Sequence, residues 1–371
     1  MTGGNYAAVI LAAGFSSRMK EFKPLLETGG MTLADRLIST FSACEIEALL
    51  VTGWRGDELS AGIRNRNVTI VPNPDYEQGM LTSVQAGVRS LSSRHEAFFL
   101  IPVDIPLIRP ATVRRLINCY ADNPSRIIYP VFNSRRGHPP LVPASLAPEI
   151  TGWQDDSGLN TILAGHRDLD VEVPVADETV LMDADNREGF DRLLARYETY
   201  HIPSEDECRA LLDINGTPEN VRRHCRIVAG VADRIAGALL KSGQTVDSAA
   251  VHAAAVLHDI AKGQPYHGAV GAEVLRNSGF GRIGDIISIH QDLVDEVNGV
   301  DIETKLVYFA DKFVIGEDIV PVWERYQASL EKYGENPEVA EKIRRRKSRA
   351  LRVKEELEKT LGYPVDTLIF G

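Results

Sequence analysis

The first half of the chain alternates short apolar runs with amphipathic segments, and this alternation restricts the possible folds more than any other feature. Several apolar runs have the length of strands: AAVILAA, IEALLVT, VTIV, AFFLIPV, RIIYPVF, LDVEVPV and TVLM. Other segments have helical periodicity: LADRLISTF, TSVQAGVRSL, TVRRLINCY and GFDRLLARY. Strands that alternate with helices form βαβ units, so we expect an α/β fold with a mostly parallel sheet covered on both faces.

The second half has a different texture, because strand-like runs nearly vanish after residue 201. At 371 residues the chain is also longer than one hydrophobic core usually serves. We therefore predict two domains, an α/β domain over 1–198 and a separate all-α domain over 203–371.

Helix signals mark the second half. Ser204 and Glu207 have the spacing of a capping box. Thr217 followed by Pro218 predicts a helix start with threonine as the N-cap. The segment 338–361 reads as a long charged helix whose apolar residues follow one stripe. We interpret the stripe as a packing face, with an oligomer seam in a homodimer as the alternative.

Charge and composition exclude several classes of partner. A net charge of −11 argues against broad binding to nucleic acid or anionic membranes, since both need a basic surface. No apolar segment approaches the ~18 residues of a membrane span. The four cysteines are scattered without a CxxC pair, which indicates neither a disulfide framework nor a zinc ribbon. The chain start lacks the basic residues of a signal peptide, so we expect a cytoplasmic protein.

The first apolar run leads into a loop of small and basic residues, within the stretch AVILAAGFSSRMKEFKPLL. Small residues allow backbone N–H groups to approach a base or phosphates, and Arg18 and Lys23 can neutralise phosphate charge. Since ligands bind at the carboxyl ends of parallel strands, we predict an anion site here. The P-loop spacing GxxxxGK[ST] is absent from the sequence, and a tight turn with solvated cations is the alternative.

Later segments support a nucleotide and metal site. NPDYEQGMLTSV places Gly79 and Ser83 at a helix start, where N–H groups can bind phosphate. Asp104 follows the apolar run AFFLIPV, at the sheet edge where Mg²⁺ would be held. LMDADNREGF adds Asp183 and Asp185 at an expected strand-to-helix transition, where a helix N-cap is the alternative role of Asp185. We predict a Mg²⁺ site formed by Asp104 and Asp185.

These motifs resemble those of the molybdenum-cofactor nucleotidyltransferases, within the GT-A-like superfamily with its Rossmann-like sheet. The resemblance covers residues 6–197 and rests, in order, on LAAGxSSRMxxxK, NPx(4)GMxxSV, a strand-Asp-x-Pro-Leu segment, RGHPPLVP and DxDN. It implies that the nucleotide is contacted by Leu11, Ala12, Ala13 and Gly14, and the phosphates by Arg18 and Lys23. It also implies that Mg²⁺ is coordinated by Asp104 and Asp185, and that the pterin side is contacted by Gly137 and His138.

The resemblance also implies a reaction. Ala13 stands where guanylyl members usually carry a second glycine, and this difference favours CTP as the nucleotide. Lys20 replaces the glycine that usually follows Arg-Met, and it adds charge near the phosphates. CMP would pass from CTP to molybdopterin with release of pyrophosphate, and a molybdoenzyme or its chaperone would be a partner. Such a transfer needs cations on the departing pyrophosphate more than a general base. A sugar or alditol phosphate is the alternative acceptor.

The second half carries histidines and aspartates in an apolar helical context. His258 and Asp259 end the run VHAAAVLHDI, and the other members are His224, His267, His290 and Asp311. A lone helical histidine is usually a packed or solvated residue. An ionised Asp buried beside a His, however, costs several kcal/mol unless a cation compensates. Mixed imidazole and carboxylate ligands suit Mn²⁺, Fe²⁺ or Zn²⁺, so we predict a metal centre.

The order H…HD…D resembles the HD phosphohydrolase superfamily over residues 204–320. The resemblance implies that the metal ligands are His224, His258, Asp259 and Asp311, that Lys262 faces a phosphate, and that a metal-bound hydroxide attacks a phosphoester. His267 and His290 make the set similar to HD proteins that hydrolyse diadenosine tetraphosphate, which implies a dinuclear Mn or Fe centre with six ligand residues. The alternatives are a mononuclear centre and a regulatory HD domain that binds a nucleotide without cleaving it.

Residues 279–284 read GFGRIG and fit the dinucleotide-binding pattern GxGxxG. No strand-like run precedes them and both flanks have helical periodicity. We therefore predict a turn between two helices.

Overall fold

A computed structural model describes residues 5–19, 21–155, 158–293 and 299–371. The chain divides into two units, Met1–Tyr200 and His201–Gly371. Lys20, which we expected near the phosphates, lies outside the described residues.

The first unit contains ten strands among its described residues. They are β1 (Tyr6–Leu11), β2 (Glu27–Thr28), β3 (Met31–Thr32), β4 (Glu47–Thr52), β5 (Val68–Pro72), β6 (Ala97–Pro102), β7 (Ile127–Phe132), β8 (Arg135–Arg136), β9 (Leu141–Pro143) and β10 (Asp170–Pro174). In the described part of this unit, β2 pairs only with β3, and the other strands form one eight-stranded sheet of order β10-β7-β9-β6-β1-β4-β5, with β8 on β7.

The sheet is mostly parallel, as predicted. β1 pairs in parallel with both β4 and β6, β4 with β5, and β7 with β10, whereas β8 and β9 run antiparallel to their neighbours. The last residue of β1, Leu11, lies opposite Val51 of β4 and Pro102 of β6. Loops that follow these three strands therefore meet at one edge of the sheet.

Helices of the first unit cover the sheet. They are α1 (Leu33–Ser42), α2 (Gly56–Gly62), α3 (Met80–Arg89), α4 (Pro110–Asp122), α5 (Ala147–Gly152), α6 (Leu159–Gly165) and α7 (Arg187–Glu198). Helix α3 lies directly on β1, because Gly87 leaves no room for a side chain: a Cβ there would lie 2.3 Å from Val9 Cγ1. This close contact fixes α3, whose first turn carries the predicted Ser83, against the central strand.

The prediction of a strand at TVLM is wrong. Residues Glu178–Leu181 form a 3₁₀ helix, because the buried carboxylate of Asp177 caps it by accepting from Thr179 N. Asp177 also accepts hydrogen bonds from Arg109 N at 2.9 Å and Thr112 Oγ1 at 2.6 Å. These polar contacts, which an apolar run does not reveal, decide the local structure.

The described residues of the second unit are helical apart from the short hairpin of β11 (Val314–Ile315) and β12 (Asp318–Ile319). Its helices in the described residues are α8 (Glu205–Ile214), α9 (Glu219–Lys241), α10 (Ser248–Leu257), α11 (His267–Asn277), α12 (Gly281–Ser288), α13 (Ile302–Asp311), α14 (Val322–Tyr333), α15 (Pro337–Leu361) and α16 (Asp366–Phe370). The all-α prediction is thus confirmed, and GFGRIG begins in the turn between α11 and α12, with residues 281–284 at the start of α12.

The helix signals were mostly right. Both hydrogen bonds of the capping box between Ser204 and Glu207 are present at the start of α8. The N-cap of α9 is Pro218 and not Thr217, because the Thr217 hydroxyl donates instead to Ile260 O at 3.2 Å.

The long helix α15 buries the predicted stripe. Its buried residues are Ala340, Ile343, Ala350, Val353, Leu357 and Leu361, so the stripe is a packing face within the unit. Among the described residues, no helix is both long and apolar enough to cross a membrane.

Candidate functional site

The loop after β1 is held between two neighbouring strands. Ala12 N donates to Val51 O at 2.9 Å, and Val103 N donates to Leu11 O at 3.0 Å. Trp54 N in turn donates to Ala13 O at 3.1 Å. The position of the small residues 11–14 is therefore set by backbone hydrogen bonds.

Lys23 connects the two carboxylates that the sequence predicts as Mg²⁺ ligands. Its Nζ lies 3.0 Å from Asp104 Oδ2 and 3.0 Å from Asp185 Oδ1. Arg18 Nη1 lies 2.9 Å from the other oxygen, Asp185 Oδ2. Four predicted residues from three separate segments thus form one charged cluster at the edge of the sheet.

Backbone contacts place Asp185 beside Asp104. Ala184 N donates to Asp104 O at 2.9 Å, which ties the two segments together one residue before Asp185. The N-cap of α7 is Asn186, whose side chain accepts from Gly189 N. The alternative role of Asp185 as an N-cap is therefore wrong, and its carboxylate faces the cations.

The three ionisable groups differ in their environment. Burial raises the pKa of Asp104, although Lys23 opposes the shift. Hydrogen bonding to Lys23 lowers the pKa of the more exposed Asp185. Burial by itself would lower the pKa of Lys23, but the two carboxylates raise it above its ordinary value. Carboxylate oxygens from both aspartates converge on one cationic atom, so the donor set fits an oxygen-preferring cation such as Mg²⁺.

A cavity of about 340 Å³ opens beside this cluster. Predicted residues that line it are Leu11, Ala12, Ala13, Gly14, Lys23, Gly79, Ser83, Asp104 and Asp185. The side chain of Asn73 fixes the start of α3 by donating to Thr82 Oγ1 and Ser83 Oγ, each at 3.0 Å.

Arg18 and His138, both predicted site residues, are not part of the lining. Arg18 contacts the cluster through Asp185. His138 N donates to Val180 O at 2.9 Å, and burial lowers the pKa of the imidazole, which favours its neutral form. Gly137 allows this approach, since a Cβ there would lie 2.6 Å from Val180 O.

The second unit brings all six predicted metal ligands together. Among the described residues, two groups have ligand atoms within 4.8 Å of one another: His224, His258 and Asp259, and Asp259, His267 and His290. Asp311 joins the first group, with Oδ1 3.2 Å from His224 Nε2 and 3.9 Å from His258 Nε2. Asp259 belongs to both groups.

Hydrogen bonds orient the imidazoles. The Nδ1 atoms of His258 and His290 lie 2.7 Å from Ala255 O and Ile287 O, and His224 Nδ1 lies 2.9 Å from Gly316 O. A carbonyl only accepts, so each Nδ1 carries the proton and each Nε2 presents a lone pair. This arrangement is typical of metal-ligating histidines.

Buried atoms test whether a metal fits. His258 Nε2, Asp259 Oδ1 and His267 Nε2 are buried and have no hydrogen-bond partner. Unpartnered buried polar atoms are costly, and a shared cation would compensate all three. Burial lowers the pKa of His258 to about 4, which keeps the ring neutral. Although burial would raise the pKa of Asp259, the nearby His267 and His290 hold it far below its usual range. The residues fit a divalent cation.

The local placement of the His-Asp pair differs from expectation. Helix α10 ends at Leu257, so His258 is its C-cap and Asp259 lies in the following turn. Gly268 allows α11 to approach the segment that carries His290, since a Cβ there would lie 2.9 Å from Ser288 O. The His267 and His290 rings are consequently 5.3 Å apart.

A cavity of about 550 Å³ adjoins this cluster and is lined by several basic side chains. Its cationic lining residues are Lys262, Lys312, Arg325, Lys332 and Arg346. Lys262 Nζ lies 2.8 Å from Asp259 Oδ2 and is half exposed. Burial would raise the pKa of Asp311, but the nearby Lys312 and Arg325 hold this pKa well below its usual range. The cavity can therefore bind an anion next to this cluster.

Both units of the chain are similar to known protein families. Residues 8–171 match the MobA-like NTP transferase domain family. The molybdenum cofactor cytidylyltransferase of Escherichia coli K12 is 32% identical over 196 residues, which make up 51% of this chain and 95% of that protein. The chain belongs to the MobA-like NTP transferases. It also carries an HD domain, which matches residues 221–316.

Other relatives share parts of the MobA-like region. The bifunctional IPC transferase and DIPP synthase of Rubrobacter xylanophilus is 38% identical over 122 residues, or 31% of this chain and 27% of that protein. The crystal structure of a Mycobacterium tuberculosis Rv0371c homologue from Mycobacterium sp. strain JC1 has a TM-score of 0.46 and 21% identity, covering 53% of this chain and 98% of that one. A nucleotidyl transferase from Methanothermobacter thermautotrophicus has a TM-score of 0.45 and 22% identity, covering 53% and 98%.

The structure adds residues that were not predicted for either site. Phe15, Tyr76, Glu77 and Met80 also line the MobA-like cavity, and Phe15 and Met80 are exposed. The sequence feature that could have indicated Phe15 is an apolar side chain inside a loop of small polar residues. At the HD cluster, Lys312 follows Asp311 directly and was overlooked.

Proposed function

We propose that the first unit transfers CMP from CTP to molybdopterin and releases pyrophosphate. The single observation that carries this proposal is the cluster of Arg18, Lys23, Asp104 and Asp185 at the mouth of a cavity lined by residues 11–14. The nucleotide class and the acceptor come from the similarity to a molybdenum cofactor cytidylyltransferase, nearly all of which the chain covers.

The roles follow from charge. Asp104 and Asp185 would hold Mg²⁺, which neutralises charge on the triphosphate. Arg18 and Lys23 bind phosphate oxygens and stabilise the departing pyrophosphate. Backbone N–H groups of residues 11–14 and the start of α3 fix the nucleotide. His138, whose neutral form is favoured by burial, would face the acceptor, as the resemblance to the family implies.

We infer that the second unit is a metal-dependent phosphohydrolase that acts on a nucleotide or phosphoester. His224, His258, Asp259, His267, His290 and Asp311 would hold one or two Mn²⁺ or Fe²⁺ ions, which activate water and neutralise the phosphate. Lys262 binds a phosphate oxygen of the substrate. The cationic lining of the 550 Å³ cavity supports an anionic substrate. We further propose that residues 1–198 and 203–371 are separate domains with separate active sites.

A different acceptor is the second candidate. The relative from Rubrobacter xylanophilus, itself named as a bifunctional transferase and synthase, matches part of the same region. The competing reading is a sugar or alditol phosphate acceptor with a regulatory HD domain.

The deciding experiment is a substrate panel with the full chain. Pyrophosphate release is measured with CTP, GTP, ATP and UTP, each with molybdopterin and with alditol phosphates. We expect release with CTP and molybdopterin, and release only with an alditol phosphate would favour the competing reading. Phosphate release from nucleotides with Mn²⁺ is compared between the native chain and the His258→Ala/Asp259→Ala variant. Equal rates would contradict the proposed hydrolase function of this cluster.

A further inference from the structure

The two oxygens of the Asp311 carboxylate face different partners. Oδ1 lies toward the imidazoles, 3.2 Å from His224 Nε2 and 3.9 Å from His258 Nε2. Oδ2 lies toward cations, 2.8 Å from Lys312 Nζ and 3.5 Å from Arg325 Nη2. The carboxylate therefore has one oxygen on the ligand side and one on the protein side.

Arg325 contacts Asp311 at more than its carboxylate. Its Nη1 donates to the backbone carbonyl of Asp311 at 2.7 Å and also to Val314 O. The guanidinium thus bonds the turn that follows α13 and the Asp311 side chain at the same time. A planar guanidinium offers several N–H donors in fixed directions, which allows contact with a carboxylate and two carbonyls at once.

The other cation has a different arrangement. Lys312 is almost completely buried and donates to Asp311 Oδ2 and, at 3.2 Å, to His290 O. It is the neighbour of Asp311 in sequence and moves with the same turn. Arg325 instead belongs to α14, which lies outside residues 221–316 that match the HD domain. It is therefore an independent anchor for the carboxylate.

We propose that Arg325 is a positioning residue that holds Asp311 Oδ2 so that Oδ1 faces the metal centre. Without it, Asp311 Oδ2 keeps the Lys312 ammonium but loses its second cationic partner, and the turn that carries Asp311 loses two carbonyl contacts. Helix α14 then belongs to the working HD centre, although the family match ends before it. This inference rests on the proposed metal-dependent function of the second unit.

The test measures Mn²⁺ binding to the full chain by calorimetric titration. We expect Arg325→Ala to weaken Mn²⁺ binding about 10-fold, the usual effect of removing a partner that orients a metal ligand. Arg325→Lys, which keeps the charge but not the planar fork, should bind Mn²⁺ more weakly than the native chain, and it decides the matter if the alanine variant fails to fold. Arg345→Ala is the matched control, because Arg345 lies on α15 and pairs with Glu341 at the surface.

A double variant separates positioning from a general structural effect. If Arg325 acts through Asp311, then Arg325→Ala adds no further loss of Mn²⁺ affinity to an Asp311→Asn chain. Additive losses, or native affinity in both Arg325 variants, would overturn the inference while leaving the metal function in place. A native chain that binds no Mn²⁺ would overturn the proposed metal-dependent function and this inference together.

Discussion

Asp259 Oδ1 lies 2.9 Å from His267 Nε2, and both atoms are buried. The other oxygen of Asp259 faces His258 and His224, at 3.5 Å and 3.9 Å from their Nε2 atoms. One carboxylate therefore supplies an oxygen to each of two ligand groups. Two divalent cations can share it, which is the arrangement that two-metal hydrolases use.

Metal content tests this arrangement. We expect the full chain, purified without oxygen, to contain about two Mn or Fe ions, since each ligand group can hold one. His267→Ala should lower the content to about one, because the first group keeps His224, His258 and Asp311. Elemental analysis measures both values. His252→Ala is the control, since His252 pairs with Asp233 outside the cluster. Unchanged content in the His267 variant would favour a mononuclear centre.

Removing one carboxylate of the transferase cluster should abolish the transfer. Asp104→Asn takes away a negative charge that the metal needs, so we expect pyrophosphate release to fall at least ~100-fold, consistent with the several kcal/mol that a metal supplies. A coupled pyrophosphate assay and a thermal melt are measured together. Asp122→Asn at the exposed end of α4 is the control. Near-native turnover in Asp104→Asn would exclude this residue from the mechanism.

Nucleotide choice should depend on Ala13. Its methyl group is buried and packs against residue 53, where an added Cβ would lie 2.8 Å from Ala13 Cβ. We expect the native chain to use CTP at least ~10-fold better than GTP, a difference of about 1.4 kcal/mol, and Ala13→Gly to reduce that ratio. Ala12→Gly removes the same atoms one residue earlier and should affect both nucleotides equally. A native preference for GTP would contradict the assignment.

The capping box at the start of α8 should stabilise the second unit. Ser204→Ala removes the acceptor for Glu207 N, so the free energy of unfolding should fall by about 1 kcal/mol. Urea unfolding followed by circular dichroism gives the value. Ser278→Ala, at the C-terminal end of α11, is the comparison, and an equal loss there would show that the cap is not special.

The sequence predicts most of the fold because its signals are periodic. Alternating strands and helices specify the parallel sheet, and the change of texture near residue 201 specifies a helical second unit. The failures arise where a single side chain decides. Asp177 turns an apolar run into a 3₁₀ helix by accepting several hydrogen bonds, and Thr217 bonds to Ile260 O where a cap was expected. Contacts between distant segments leave no trace in a local pattern.

The candidate sites follow the same division. The order of histidines and aspartates was sufficient to predict the members of the HD cluster, because a His-Asp pair that follows an apolar run is chemically unusual. Arg325 was missed, since one arginine on a charged helix resembles many others until its contact with Asp311 is seen. Phe15 and Met80 were also missed, because their importance lies in exposure beside a cavity and not in their type.

The short segment from Asp177 to Asp185 joins three parts of the transferase site. It is tied to α4 through Asp177, to His138 through Val180 O and to Asp104 through Ala184 N. Inserting or deleting one residue here would shift Asp185 relative to Asp104 and move His138 at the same time. Chain length should therefore be invariant across this segment in natural relatives, whereas insertions should accumulate in surface loops that bear no such ties. The distance between Asp185 and His138 thus depends on the number of residues in this segment.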